Sequence, residues 1–108
     1  MYLKNLFDLR GIDLSEGESV QELFSGKGFR LERVVSKGHV TPKGQWCQEP
    51  FDKWVAVIEG QGEIMYEDMS VDLLCRGDYV LIPAHTRHRV TMTSQSPECV
   101  WLSLTGRG

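Results

Sequence analysis

The segment Gly77-Asp-Tyr-Val-Leu-Ile-Pro83-Ala-His85-Thr-Arg-His88-Arg-Val90 decides how the rest of the chain reads. Gly77 opens it with a turn, and residues 78–82 follow as a short apolar strand. Pro83 has no amide hydrogen to give to a sheet ladder, so the strand ends there. A second strand then begins and carries a histidine. Side chains alternate across a strand with a period of two, which sets His88, Val90 and Met92 on one face. The segment is therefore strand, turn, strand, with an imidazole at the start of the second strand.

The pattern repeats upstream and downstream. Residues 29–36, 53–59, 63–67, 71–75, 87–93 and 99–104 read as further short strands rich in valine, isoleucine, leucine and aromatics. Gly60-Gln61-Gly62 separates 53–59 from 63–67, which predicts a hairpin between them. Residues 38–44, with Pro42 and two glycines, read as a loop. Only the N-terminal part departs from this pattern. Ser15 and Glu18 have the spacing of a capping box, and Val20, Leu23 and Phe24 follow at helical intervals. These signals predict a short amphipathic helix over 16–25, stopped by Gly26-Lys27-Gly28. Many short strands with turn signals between them indicate an all-β sandwich or barrel. A single domain over 1–108 is expected, with an N-terminal arm and helix to about 26 and the barrel over about 28–105.

Composition narrows the class of partner. Of 108 residues, 41% are hydrophobic and 25% are charged, the balance of a globular chain rather than a disordered one. No apolar run is long enough to span a bilayer. Residues 1–10 do not read as a secretory leader. Twelve basic against fifteen acidic residues give a net charge of −3 and no clustered basic face, so neither nucleic acid nor membrane is expected as a partner. Three cysteines, Cys47, Cys75 and Cys99, without C-x-x-C spacing, suit free thiols in the cytoplasm.

The Gly77, Pro83 and His88 spacing resembles the second cupin motif, with His85 where that family has glycine. The stretch from Asp52 to Gly60 resembles the end of the first motif. Residues 30–36, Pro42-Lys43-Gly44, Trp46, and the Ile-Pro-Ala-His followed by His-Arg-Val are similar to small single-domain bacterial cupins. The resemblance implies a double-stranded β-helix, or jelly-roll, barrel with a pocket at one end and a habit of forming homodimers. In metal-binding cupins that pocket holds Fe, Mn, Ni or Zn on three histidines and a glutamate. Carried over by position, the two histidines of the first motif fall on Cys47 and Glu49, the glutamate on Lys53, and the last histidine on His88. A protonated lysine repels a dication, so no tightly held cofactor is expected. Cys47, Glu49 and His88 remain the candidate ligands for a divalent ion.

The residues themselves leave two readings each. Parity places Lys53, Val55 and Val57 on one inward face, where an ammonium needs a carboxylate from Glu49 or from a ligand; the plainer reading is a surface pair with Asp52. His85 follows Pro-Ala in a turn and reads either as a pocket donor or as solvent-facing. Cys47 is a ligand or an inert buried thiol. Trp46 and Gln48 flank it and complete a candidate ligand-binding set of Lys53, His88, His85, Glu49, Gln48 and Trp46. Three functions compete: a barrel binding a small, anionic molecule; a metal-dependent oxygenase or isomerase; and a dimeric scaffold.

Overall fold

The computed structural model describes residues 1–106 and contains eight strands. They are β1 (Ser19–Gly26), β2 (Phe29–Ser36), β3 (Asp52–Glu59), β4 (Gly62–Tyr66), β5 (Val71–Leu74), β6 (Tyr79–Ile82), β7 (His88–Thr93) and β8 (Cys99–Gly106). Five form one sheet in the order β1-β2-β8-β3-β6, and three form the other, β5-β4-β7. Every pairing is antiparallel. This is the all-β architecture expected from the spacing of short strands, in the jelly-roll form that the family resemblance implies. The core lies between the sheets, where Val55, Val57, Ile64, Leu74, Ile82, Cys99 and Trp101 are buried together. Their positions follow the pleat: Val55 and Val57 point inward from β3, as Trp101 does from β8.

Two expectations fail, each because partners distant in sequence win. The helix over 16–25 is strand β1. The Ser15 hydroxyl and amide both bond the Asp13 carboxylate, at 2.6 and 2.9 Å, in place of capping a helix. Glu18, the other half of the supposed box, instead accepts from the Ser36 hydroxyl at 3.0 Å. Gly17 at φ 137° breaks the first turn the helix would need. The backbone groups of β1 are satisfied along β2, while Val20, Leu23 and Phe24 stay exposed. Gly26-Lys27-Gly28 stops no helix and turns the chain from β1 into β2.

The predicted hairpin between β3 and β4 does not form either. The chain changes sheets at Gly60, with β3 lying between β8 and β6 and β4 between β5 and β7. A bulge between Val57 and Glu59 lifts the end of β3 out of register with β8. Gly60 then turns at φ 75°, and Gln61 and Ser94 exchange hydrogen bonds of 2.9 Å that fix the crossing. The N-terminal arm runs to the same large sheet. Leu6 and Asp8 accept hydrogen bonds on their carbonyls from the buried Arg33 guanidinium, at 3.0 and 2.8 Å. Among the described residues no helix is long and apolar enough to cross a membrane.

Just past the crossing, Gly62 lies under the Trp101 indole, and a Cβ there would overlap the ring. Gly62→Ala is expected to lower stability by about 1–3 kcal/mol, the usual cost of overpacking a tight core. Urea unfolding followed by far-ultraviolet circular dichroism measures this directly. An unchanged midpoint would show that the ring has room to yield.

Candidate functional site

Four polar side chains line one cavity of about 100 Å³ between the sheets: Glu18, Lys53, His88 and Ser103. The remaining walls are Val34, Val55, Ile64, Ile82, Val90 and Trp101. The alternation that buries the core also builds this site. Lys53 and Val55 are successive inward positions of β3, and Trp101 and Ser103 are successive inward positions of β8, with Val55 opposite Ser103.

His88 is 5% exposed, and its backbone exchanges hydrogen bonds of 2.7 and 3.0 Å with Cys47. Its Nδ1 lies 2.9 Å from the Thr86 carbonyl oxygen. A carbonyl only accepts, so Nδ1 carries the proton and Nε2 is left for other partners. Ser103 is 3% exposed, and among the described residues nothing hydrogen-bonds its Oγ. A buried polar group left unmatched costs about 1–3 kcal/mol, so this hydroxyl marks a place where a partner would be rewarded. Lys53 Nζ donates to Glu49 Oε1 at 3.4 Å, with side chains 26% and 33% exposed. This is a long, half-buried contact. Such pairs are weak enough to be exchanged.

The other residues singled out in the sequence fall outside the cavity lining. His85 is exposed at φ 67°, and its amide donates to the Glu49 carbonyl at 2.7 Å. The left-handed backbone explains why glycine is the cupin residue here. Gln48 is exposed. Cys47 is also exposed, which overturns the expectation of a buried thiol. Trp46 packs its ring near the Arg87 and Arg89 guanidinium groups, 5.7 and 5.8 Å from its centroid. Glu18 and Ser103 are the residues the sequence reading missed. Ser103 was accessible through the parity of β8, two residues beyond Trp101; Glu18 was hidden by the false capping box.

These side chains do not fit a metal ion. Among the described residues no three His, Cys, Asp or Glu side chains group closely enough to hold one. Cys47, Glu49 and His88 therefore do not form the ligand set carried over from the family motif, and the Lys53 amine occupies the position of its carboxylate.

Two antiparallel sheets enclosing a polar-lined cavity define a small β-barrel of the jelly-roll class. The chain belongs to the cupin domain family, whose model matches residues 34–105. It is similar over the full length of both chains to a crystal structure from Ralstonia eutropha titled a "putative mannose-6-phosphate isomerase", with 34% identity and a TM-score of 0.89. A Thermus thermophilus protein is similar over 99% of this chain and 98% of its own, with 19% identity and a TM-score of 0.77. An RmlC-like cupin from Shewanella frigidimarina covers 89% of this chain and 81% of its own, with 18% identity and a TM-score of 0.71. The last two likenesses concern the fold alone. The sequence has no match among curated proteins.

The three thiols differ sharply in setting. Cys47 is exposed, Cys75 is half-buried and accepts a 3.5 Å contact from Gln61 Nε2, and Cys99 is fully buried. Burial, followed by the nearby Glu18 carboxylate, pushes the Cys99 thiol up from 9 to about 12. A thiol-specific chromogenic reagent at pH 8 is expected to label Cys47 fastest and Cys99 only after unfolding. Because the folded state keeps the Cys99 proton above pH 9 while the unfolded chain releases it, stability is expected to fall as pH rises through 9 to 12. Labelling of Cys99 at the rate of Cys47 in the native protein would contradict this burial.

Proposed function

We propose that the protein binds a small organic anion in the cavity between its sheets, with Lys53 and Ser103 as donors to its acid group and His88 Nε2 as an acceptor for a neighbouring hydroxyl. The unpartnered Ser103 hydroxyl carries this reading. It is a deeply buried donor in the same cavity as an ammonium and an imidazole. Convergent polar groups in an apolar-walled cavity are the general mark of a small-molecule site. The volume, equal to about three waters at roughly 30 Å³ each, suits a carboxylate or carbonyl end-group more than a whole metabolite. Glu18 supplies an acceptor on the same lining, which favours a ligand bearing a hydroxyl next to its acid group. The ligand carboxylate replaces Glu49 on Lys53, so the existing ion pair is a competitor for the site.

Thermal unfolding in the presence of acetate, glycolate, phosphate and mannose 6-phosphate tests this reading; the last compound enters because of the name of the Ralstonia relative. At ten times its dissociation constant a bound carboxylate stabilises by about 1.4 kcal/mol, a shift of several degrees. Lys53→Met is expected to abolish the shift and Ser103→Ala to reduce it. Glu49→Gln, which removes the competing charge, is expected to enlarge it. Equal shifts in Lys53→Met and the parent protein would overturn the assignment.

A further inference from the structure

A second hollow, of about 590 Å³, lies at the end of β8 and is bordered by Lys27, Phe29, Arg30, Glu49, Pro50 and Phe51, with Thr105 among its remaining contacts. Three observations join it to the cavity. Ser103 lines the cavity and Thr105 lines the hollow, and these are successive inward positions on one strand, about 7 Å apart. Arg30, Thr105 and Lys53 stand in one row across the sheet, because β2 pairs Arg30 with Thr105 and β3 pairs Lys53 with the same residue. Glu49 borders the hollow while its carboxylate holds Lys53, which lines the cavity. The two spaces are thus neighbours separated by one ion pair of 3.4 Å.

Their linings differ in chemistry. The inner cavity offers the Lys53 and Ser103 donors beside the Glu18 and His88 acceptors, and little room. The outer hollow is roomy, and Pro50 and Phe51 give it apolar surface, while the Phe29 ring packs on Phe24 with centroids 5.5 Å apart. Cations stand at its border: Lys27 in the turn between β1 and β2, and Arg30, which also contacts Glu32 at 3.3 Å. A flat apolar body suits an apolar wall that carries an aromatic ring, and positive charge at an entrance draws in anions.

We propose that the hollow and the cavity form one bipartite site for an aryl-substituted carboxylic acid. The carboxylate takes the place of Glu49 on Lys53 and reaches toward Ser103, while the ring lies in the outer hollow beside Pro50 and Phe51. The inference rests on the anion-binding reading above and adds the class of ligand. No covalent step is involved. Lys53 exchanges one carboxylate partner for another, and Glu49 turns into the solvent-accessible hollow.

Titration calorimetry of the full-length protein with acetate, phenylacetate and 3-phenylpropionate tests the proposal without any mutation. The aryl acids are expected to bind at least about tenfold more tightly than acetate, which corresponds to burial of part of a ring. In Phe51→Ala the ratio of the acetate and aryl acid dissociation constants is expected to fall toward one. Lys53→Met is expected to remove binding of all three. Acetate binding through Lys53 with no gain from the ring would overturn the bipartite site and leave the anion reading standing. Failure of all three acids, together with failure of the anions tested above, would overturn both.

Discussion

A lysine on an inward strand position is the constraint from which the site follows. The pleat of β3 aims Lys53 the same way as Val55 and Val57, toward the space between the sheets. An ammonium cannot stay there alone, since removing a charge from water without a counter-charge costs far more than a single hydrogen bond returns. Its position at the end of the strand resolves the conflict. The aliphatic stem borders the cavity while the amine reaches Glu49 at the rim, still partly wet. That compromise leaves the pair long and replaceable. The charge that excludes a dication favours an anion.

The ladder of β8 is equally important, because it is the central element shared by both halves of the large sheet. It pairs with β2 along its full length and with β3 along almost all of it. Its inward residues Trp101, Ser103 and Thr105 descend from core to cavity to outer hollow. Apolar burial at Trp101 anchors the strand, and the hydroxyls follow at fixed two-residue steps. Packing and recognition are thus set by one register. A slip of one residue would turn both hydroxyls outward and put Leu102 and Leu104 in their place.

Much of this was legible in the chain because strand parity is a strong local signal. Gly77, Pro83 and His88 marked their turn and strand correctly, and the inward set of β3 followed from alternation alone. The failures came where one local signal has two physical outcomes. Ser15 and Glu18 satisfy a helix cap only if no other partner is offered; Asp13 and Ser36 are nearer, and β2 presents a full row of backbone partners to β1. Helical spacing of Val20, Leu23 and Phe24 lost to tertiary pairing, as short propensities commonly do. The Gly60-Gln61-Gly62 turn likewise suits a hairpin or a corner between sheets. What selects the corner is contact with Ser94, Glu98 and Trp101, all more than thirty residues away. No local reading contains that information. His85 and Trp46 were drawn toward the site by their chemistry, yet positive φ at one and two guanidinium neighbours at the other hold them elsewhere.

The polar interior also bears on how such a barrel keeps its stability. Glu18 accepts from Ser36, and His88 is oriented through Nδ1 by the Thr86 carbonyl, so two of the four polar groups are held in place without a ligand. Lys53 is only loosely held, and among the described residues nothing holds the Ser103 hydroxyl. Preorganised and unsatisfied groups therefore share one small space. The fixed pair keeps the walls in place when the cavity is empty, which spares an entering molecule the cost of ordering them. The unfixed pair is where new hydrogen bonds gain most, because a buried donor without a partner has already given up its water. A ligand would therefore gain most at Lys53, whose 3.4 Å contact to Glu49 is long and exchangeable, and at the Ser103 hydroxyl.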